Sequence, residues 1–414
     1  MRLRDAVLTS VIADGRLGVI TLPGDWMTKV VSAPGTVARV PPGLLVVAAV
    51  AIALVLPVQA QAAPPQPDAR AYLVVNASTG EVLAARSPHA RVPIASITKL
   101  MTVLVALEHV RLGDVVRVDK VSAAVGESTI NLRAGERITV HDLVAASLIQ
   151  SANDAASALA SYAGHGSTAR FVALMNAKAR ALGLHDTHFV RPDGLDANGE
   201  VSSAADVVKL AEVAMHNATI RRIVGERSAI ISGGRHLQTW DDLLGTFPGL
   251  IGVKTGHTAD AGWCQVAAAR GRGLTIYTAI LGSPTRSRRN DDLTALLAWG
   301  LTQYRIVPLV QTGRTYASAA VGWGRKPVPL VAQGTLVRSV RLGRPFVERV
   351  TAPAVLALPV RVGQVFGEVR VYQDGRLVGG RKLVAAVPAR RPGLTGRVGF
   401  FAARTVHHVW SWLT

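Results

Sequence analysis

The sequence predicts an α+β domain built on a five-stranded antiparallel sheet, followed by a small all-β domain and a C-terminal amphipathic helix. Two strand-like runs come first, then a long helical block, then three more strand-like runs and a closing helix. After residue 312 the helical pattern disappears, and short runs rich in Val and Leu recur between turns. These changes predict four parts, residues 1–62, 63–312, 313–390 and 391–414.

Residues 1–62 have the features of a secretory leader. Residues 41–59 are apolar, follow a basic segment and precede the small-residue triplet Ala60-Gln61-Ala62. This arrangement is typical of a signal peptide, so we expect cleavage after the triplet; a retained N-terminal anchor is the alternative. A start at Met27 would give a leader of more ordinary length, which leaves the translation of residues 1–26 open. In either case we expect the chain to work outside the cytoplasmic membrane.

A hairpin followed by a buried helix opens the α+β domain. Residues 72–76 and 81–85 are strand-like, and Ser78-Thr79-Gly80 is a turn signal between them. Pro93 then restricts the backbone ahead of a helix of about 15 residues that ends near Gly113. Apolar residues cover nearly the whole circumference of its first turns, so this helix is predicted to be buried.

The rest of the α+β domain contains further helices and three strands. Thr139 and Asp142 have the spacing of a capping box that opens a second apolar helix, residues 140–149. Further helical patterns cover residues 167–183, 203–216 and 289–304. Strand patterns with the short linkers of antiparallel neighbours cover residues 250–254, 263–268 and 274–280.

The C-terminal quarter combines a β pattern with a basic charge. It contains the hairpin signal Asp374-Gly375 between two of its strand-like runs. The runs are residues 335–340, 345–351, 354–360, 365–372 and 381–387. Residues 313–414 carry 16 Lys or Arg against 3 Asp or Glu, which predicts an anionic surface as a neighbour. A membrane is the preferred neighbour and nucleic acid is not expected, because aromatic residues are few and no nucleic-acid motif is present.

The last 20 residues predict a helix that attaches the chain to a membrane surface. Val398, Phe401, Val409 and Trp412 follow helical spacing, and basic residues fall largely elsewhere. A short helix rich in Trp and Phe with basic flanks can lie in a membrane interface, which predicts peripheral attachment at the extracytoplasmic face. Packing of this helix on its own β domain is the alternative.

Ser96 and Lys99 stand three residues apart at the head of the first helix. Positions i and i+3 share a helix face, so the Lys99 amine can reach the Ser96 hydroxyl. Because the surrounding helix is apolar, Lys99 has no evident solvated face, and a lysine in such a site has a lowered pKa and can act as a general base. The pair indicates a nucleophile and its base; a helix-terminal serine beside a solvated lysine is the alternative.

Two further polar clusters occur in contexts that suit a catalytic site. Ser151 and Asn153 lie at a helix break, where they either project into a site or cap a helix. Lys254-Thr255-Gly256 is predicted to end a strand, with His257 next; the glycine would leave room for a substrate strand. A β-turn with a surface lysine is the alternative there. The order S-x-x-K, S-x-N, K-T-G is close to the set found in β-lactamases and penicillin-binding proteins.

With these motifs the chain resembles the D-alanyl-D-alanine carboxypeptidases, the low-molecular-mass penicillin-binding proteins with an S-x-x-K serine. The likeness covers roughly residues 70–310. Its matching segments are residues 95–102, 148–155, 192–196, 203–206, 254–258 and 261–262. The resemblance implies a penicillin-binding/β-lactamase-like transpeptidase fold and a serine-type D-Ala-D-Ala carboxypeptidase in the bacterial cell envelope.

The resemblance also implies how an acyl-enzyme would form. Ser96 would attack the carbonyl between the two terminal D-alanines of a peptidoglycan stem peptide, and Lys99 would take its proton. Asn153 would hold the peptide backbone, and the backbone N–H groups of Ser96 and His257 would form the oxyanion hole. Water would then hydrolyse the acyl-enzyme, and β-lactam antibiotics would acylate Ser96 as substrate mimics.

The remaining motif residues are implied to serve the leaving group. Ser151 and Lys254 would relay a proton to the departing D-alanine. Lys254 and Thr255, in the segment that includes Gly256, would bind the terminal carboxylate of the substrate.

Three other functions remain open at this point: a DD-endopeptidase or a β-lactamase of the same fold, and a catalytically silent wall-binding protein. No His/Cys cluster has metal-ligand spacing, so no metal and no cofactor is predicted. The single cysteine, Cys264, excludes an intrachain disulfide and is expected to be a small core residue in a strand.

Overall fold

The computed structural model describes residues 63–323, 325–395, 397–398 and 400, and four short strands nearer the N-terminus. The chain divides into two compact units. One is Ala62–Tyr304, and the other is Arg305–Thr414 with Met1–Gln61. The predicted domain boundaries after residues 62, 312 and 390 stay predictions.

Strands and helices are numbered separately in chain order. The four short strands are β1 (Val11–Ala13), β2 (Arg16–Gly18), β3 (Val47–Ala48) and β4 (Ala51–Leu54). The unit Ala62–Tyr304, the first unit below, contains β5 (Ala71–Asn76), β6 (Glu81–Arg86), β7 (Val115–Arg117), β8 (Arg137–Thr139), β9 (Ser228–Ile231), β10 (Arg235–Gln238), β11 (Leu250–Thr258), β12 (Gly262–Gly271) and β13 (Leu274–Ser283). Its helices are α1 (Lys99–His109), α2 (Lys120–Ala123), α3 (Val140–Ala145), α4 (Asn153–Ala163), α5 (Thr168–Ala181), α6 (Ala204–His216), α7 (Ala218–Ile223) and α8 (Arg286–Thr302).

The first unit is organised around a five-stranded sheet in the order β11-β12-β13-β5-β6, with every neighbouring pair antiparallel. β5 is buried along its whole length because both of its faces are covered. Leu73 and Val75 belong to the larger core with the helices from α1 to α7. Tyr72 and Val74 belong to a second core with Leu296 of α8. The predicted fold class, an α+β domain on a five-stranded antiparallel sheet, is confirmed.

Three local details differ from the predictions. The first helix opens with a 3-10 turn, Ala95–Thr98, before α1 begins. The second helix passes from α3 into a π-helical turn, Ala146–Gln150. β11 continues to Thr258, so the Lys254-Thr255-Gly256 motif lies within the strand and does not end it, because each motif residue still pairs with β12.

The capping box at the start of α3 forms only in part. The Thr139 hydroxyl accepts a hydrogen bond from the backbone N–H of Asp142 at 3.1 Å, as predicted. The Asp142 carboxylate does not return the bond to the Thr139 backbone. It instead accepts the backbone N–H of Ser232 at 3.2 Å, which ties α3 to the loop after β9.

In the second unit, the described residues between 305 and 390 form an all-β region, as predicted. Its strands are β14 (Tyr304–Val310), β15 (Thr315–Val321), β16 (Val328–Ala332), β17 (Leu336–Arg341), β18 (Phe346–Pro353), β19 (Val355–Leu356), β20 (Val365–Gln373) and β21 (Arg376–Ala385). Most join one sheet in the order β19-β15-β16-β21-β20-β18-β3, with β4 also paired to β18. Asp374 and Gly375 connect β20 to β21 with φ values of 51° and 76°, the conformation that a two-residue hairpin turn requires.

The predicted terminal segments fall mostly outside the described residues. Residues 394–395, 397–398 and 400 are helical, and the rest of the predicted amphipathic helix lies beyond the described part. Apart from the short strands β1 to β4, the predicted signal peptide also lies outside it. Among the residues that the structure describes, none of the helices has the length and apolar character needed to cross a membrane.

Candidate active site

Ser96 and Lys99 are brought together by the 3-10 turn that precedes α1. Ser96 lies within this turn and Lys99 is the first residue of the α-helix. The Lys99 Nζ atom lies 2.7 Å from the Ser96 Oγ atom, within hydrogen-bond distance. The two side chains therefore have the contact that a nucleophile and its base require.

Lys99 is fully buried, with 0% of its surface exposed. Besides Ser96, its Nζ donates to Asn153 Oδ1 at 2.7 Å and to the backbone oxygen of Asp193 at 2.6 Å. Burial disfavours the charged amine and lowers the pKa of Lys99 to about 7, although the Asp193 carboxylate opposes the shift. A neutral Lys99 is thus present in quantity near neutral pH, and the alternative of a solvated lysine is wrong.

A network of buried acidic side chains behind Lys99 fixes the position of the turn that carries Ser96 and Lys99. No role for these acidic residues was predicted from the sequence. The Asp193 carboxylate accepts two hydrogen bonds from the Arg191 guanidinium, at 2.6 and 2.9 Å. Glu200, which is 3% exposed, accepts the Thr98 hydroxyl at 2.8 Å. Gly194, at φ 74°, approaches the turn so closely that a Cβ atom there would lie 2.2 Å from the Ala95 oxygen.

The side chains of Ser151 and Asn153 contact the two buried lysines, and neither side chain caps α4. Ser151 ends the π-helical turn with φ 64° and ψ 29°, a left-handed conformation that turns its side chain out of the helix path. The N-cap of α4 is Ala152, without a side-chain hydrogen bond, so the capping alternative is wrong. The Asn153 amide donates to the Gly126 oxygen at 3.0 Å while its oxygen binds Lys99.

Lys254 lies on β11 with 2% of its surface exposed, so the surface-lysine alternative is also wrong. Its Nζ donates to Ser151 Oγ and to the Thr255 backbone oxygen, both at 2.9 Å. Burial, and then the nearby charge of Lys99, lower the pKa of Lys254 well below its usual value. Lys254 therefore loses its proton more easily than an exposed lysine does.

Gly256 allows β11 to approach the serine turn. A Cβ atom at this position would lie 2.8 Å from the Ile94 oxygen and 3.0 Å from the Ser96 backbone nitrogen. The glycine thus makes room for the protein's own backbone at Ser96, and the expected room for a substrate strand is not its main effect. Its close approach brings the next residue, His257, beside the nucleophile.

Of the predicted site residues, Ser96, Ser151, Thr255, Gly256 and His257 line a cleft with a volume of about 230 Å³. Lys99, Asn153 and Lys254 are buried behind its wall. Its wall comprises Ser96, Glu127, Ser128, Ser151, Trp240, Thr255, Gly256, His257, Trp263 and Arg289. The His257 ring packs on Trp263 with centroids 4.0 Å apart. Trp240 and Arg289, with Glu127 and Ser128, were not singled out from the sequence, because no local pattern marks side chains that reach the cleft from separate loops and α8.

The charged side chains that line the cleft are Glu127 and Arg289. Arg289 is 1% exposed, and its guanidinium lies 3.3 Å from the Asp242 carboxylate. Among the described residues no cluster of three or more His, Cys, Asp or Glu side chains could hold a metal ion. Cys264 is fully buried on β12, and burial raises the pKa of its thiol to about 11.

The fold and this site are those of a serine acyl-transfer enzyme, with a buried lysine amine beside the candidate nucleophile. The profile of the D-alanyl-D-alanine carboxypeptidase family, Peptidase S11, matches residues 58–285. This chain belongs to that family and is a serine-type D-Ala-D-Ala carboxypeptidase.

Curated relatives agree along most of the chain. D-alanyl-D-alanine carboxypeptidase DacC of Escherichia coli strain K12 is 30% identical over 83% of this chain and 90% of its own length. DacB2 of Mycobacterium tuberculosis is 34% identical over 59% of this chain and 86% of its own.

Solved structures with the same fold include two informative neighbours. Penicillin-binding protein 5 of Haemophilus influenzae is 26% identical with a TM-score of 0.59, over 80% of this chain and 100% of that one. The K15 DD-transpeptidase of Streptomyces is 31% identical with a TM-score of 0.55, over 58% of this chain and 100% of that one.

Proposed function

We propose that the enzyme removes the terminal D-alanine from peptidoglycan stem pentapeptides through an acyl-enzyme on Ser96. The observation that carries this proposal is the buried Lys99 amine 2.7 Å from the Ser96 hydroxyl, with a pKa near neutrality. Neutral Lys99 takes the hydroxyl proton as Ser96 Oγ bonds to the carbonyl carbon between the two D-alanines. The backbone N–H groups of Ser96 and His257 stabilise the oxyanion, each worth roughly 3 kcal/mol in other acyl-transfer sites.

The leaving D-alanine is served by the second lysine. The amine of the leaving D-alanine takes a proton from the Ser151 hydroxyl. Lys254 then gives a proton to Ser151 over their 2.9 Å contact. The charge of the substrate's terminal carboxylate favours the protonated form of Lys254, so Lys254 and Thr255 bind this carboxylate. Asn153 binds the substrate's backbone. Water then hydrolyses the ester on Ser96. A β-lactam ring places its carbonyl and carboxylate in the same positions, so it acylates Ser96.

D-alanine release tests this function. We expect a pentapeptide that ends in D-Ala-D-Ala to lose one D-alanine, measured as free D-alanine. The same peptide with a C-terminal amide is the control, and we expect it to react at least about 100-fold more slowly because it lacks the charge that Lys254 binds. Cleavage of cross-linked dimers without release from the pentapeptide would instead support an endopeptidase.

The acyl group on Ser96 could also be transferred to an amine instead of water. The Streptomyces neighbour is named a DD-transpeptidase, which indicates this reaction for that protein. Adding glycine as an acceptor to the same assay separates the two fates. Free tetrapeptide as the main product supports the carboxypeptidase, and a glycine adduct as the main product supports a transpeptidase.

We also propose that the mature enzyme lies outside the cytoplasmic membrane, in the bacterial envelope. Residues 1–62 act as leader and signal peptide, and residues 391–414 as a peripheral anchor on an anionic membrane surface. The basic excess of residues 313–414, 16 cations against 3 anions, supports the second role.

Removing the anchor should release the enzyme from membranes. We expect a chain of residues 63–414 to sediment with vesicles that contain anionic lipid, and a chain of residues 63–392 to stay in the supernatant. Both chains should release D-alanine from a soluble peptide at the same rate. Co-sedimentation of the shorter chain to the same extent would contradict the anchor.

A further inference from the structure

A second cavity adjoins the catalytic cleft and has no role in the mechanism above. It has a volume of about 610 Å³. It is lined by Glu127, Ser128, Thr129, Gln150, Gln238, Thr239, Trp240, Asp242 and Arg286. Glu127, Ser128 and Trp240 line both spaces, so they form the wall between the nucleophile and this outer cavity.

The loop that carries Glu127 is fixed to the catalytic segment. The Asn153 backbone N–H donates to the Ser128 oxygen at 2.7 Å, and the Asn153 amide donates to the Gly126 oxygen at 3.0 Å. The Ser128 hydroxyl donates to the Gln150 oxygen at 3.0 Å, and the Gln150 amide returns a bond to Thr129 at 2.8 Å. These hydrogen bonds therefore fix the position of the Glu127 loop relative to the segment that contacts Lys99 and Lys254.

Glu127 itself is exposed and adopts φ 63°, a backbone conformation that favours glycine. A carboxylate thus stands at a strained position on the rim. Within the described part of the chain, no hydrogen bond or ion pair engages that carboxylate.

The other charges of the cavity are already matched. Arg286 forms a two-point ion pair with Asp242, and its guanidinium also covers the Trp240 ring at 5.2 Å. Arg191, whose charge interacts with that of Glu127, donates from its Nε and Nη2 atoms to the Asp193 carboxylate. Among the described residues that line the outer cavity, Glu127 is therefore the one charged side chain without an ion pair, although its charge acts at a distance on Lys99 and Arg191. Trp240, which is 46% exposed, adds an apolar surface beside it.

We propose that this outer cavity is a subsite for the residue preceding D-Ala-D-Ala, and that Glu127 binds a primary ammonium at the end of that residue's side chain. The aliphatic part of the side chain packs on Trp240. The proposal rests on the function above, since it uses the peptide direction which that function sets.

The direction follows from the two ends of the catalytic cleft. Thr255, which with Lys254 binds the terminal carboxylate, lines the catalytic cleft and not the outer cavity. Glu127, Ser128 and Trp240 line both, so the acyl part of the peptide extends from Ser96 toward the side that the two spaces share. The first side chain on the acyl side of the alanine bonded to Ser96 therefore reaches the outer cavity.

Two peptides that differ only in this charge test the subsite. Both end in Lys-D-Ala-D-Ala, and in one the lysine side chain is acetylated. We expect wild type to release D-alanine from the free-amine peptide with a kcat/KM about five-fold higher, the effect of a partly exposed ion pair. Glu127→Gln should bring the ratio close to one. Because the ratio is taken within each variant, any effect of the substitution on Lys99 cancels.

Asp291→Asn is the matched control, since it removes an exposed carboxylate of α8 that lines neither cavity. We expect this variant to keep the wild-type ratio, and about 1 M salt to weaken the ratio in wild type by screening. Equal rates for the two peptides in wild type, or an unchanged ratio in Glu127→Gln, would contradict the subsite and leave the proposed function intact. Absence of D-alanine release from both peptides would overturn the proposed function together with it.

Discussion

Replacement of Ser96 by alanine is expected to abolish covalent labelling by a fluorescent penicillin and to slow D-alanine release by about 10⁴-fold or more. The side chain that bonds to the acyl group is then missing, while Lys99 keeps its contacts to Asn153 and Asp193. Labelling is read on a denaturing gel, where only a covalent adduct survives. This measurement tests the nucleophile and the family chemistry in one step.

Ser147→Ala is a suitable control for that experiment. Ser147 is a fully buried serine of the same helical segment as Ser151, and its hydroxyl donates only to the Leu143 oxygen, at 2.7 Å. We expect this variant to label at the wild-type rate. Persistent labelling of Ser96→Ala would show that another side chain is acylated and that the assigned nucleophile is wrong.

The sequence was most informative where chemistry is local. Ser96 and Lys99 are neighbours because three residues separate them on a helical turn, and their contact follows from helix geometry alone. The burial of Lys99 followed from the apolar residues around it. The sheet was predictable for a similar reason, since short linkers join β11, β12 and β13 as antiparallel neighbours.

The rest of the site depends on tertiary approach, which no local pattern encodes. Asp193 supplies a backbone oxygen to Lys99 from a loop 94 residues away. Trp240 and Arg289 enter the cleft from separate elements, and Glu127 matters only because its loop is bonded to the residues around Asn153. The role of Gly256 depends on the Ser96 backbone, which is far from it in sequence and lies beside it only in the folded chain.

The acylation rate is expected to depend on pH through Lys99. Its pKa is about 7, lowered by burial. Below that pH the amine carries a proton and cannot accept one from Ser96, so the rate of penicillin acylation should fall about tenfold for each pH unit. Above pH 7 the amine is neutral and the rate should level off. Stopped-time labelling between about pH 5.5 and 9 measures this profile.

Lys99→Arg is expected to remove that profile, because a guanidinium stays protonated throughout this range. Acylation should fall about 10³-fold and show no inflection near pH 7. Lys209→Arg is the matched control: Lys209 is exposed on α6, and its amine donates only to the Gly183 oxygen at 3.3 Å, so its profile should equal that of wild type. If Lys99→Arg instead kept the inflection, the titrating group would be another residue. The proton from Ser96 would then need a different acceptor, although among the described residues Lys99 is the one side chain that forms a hydrogen bond with the Ser96 hydroxyl.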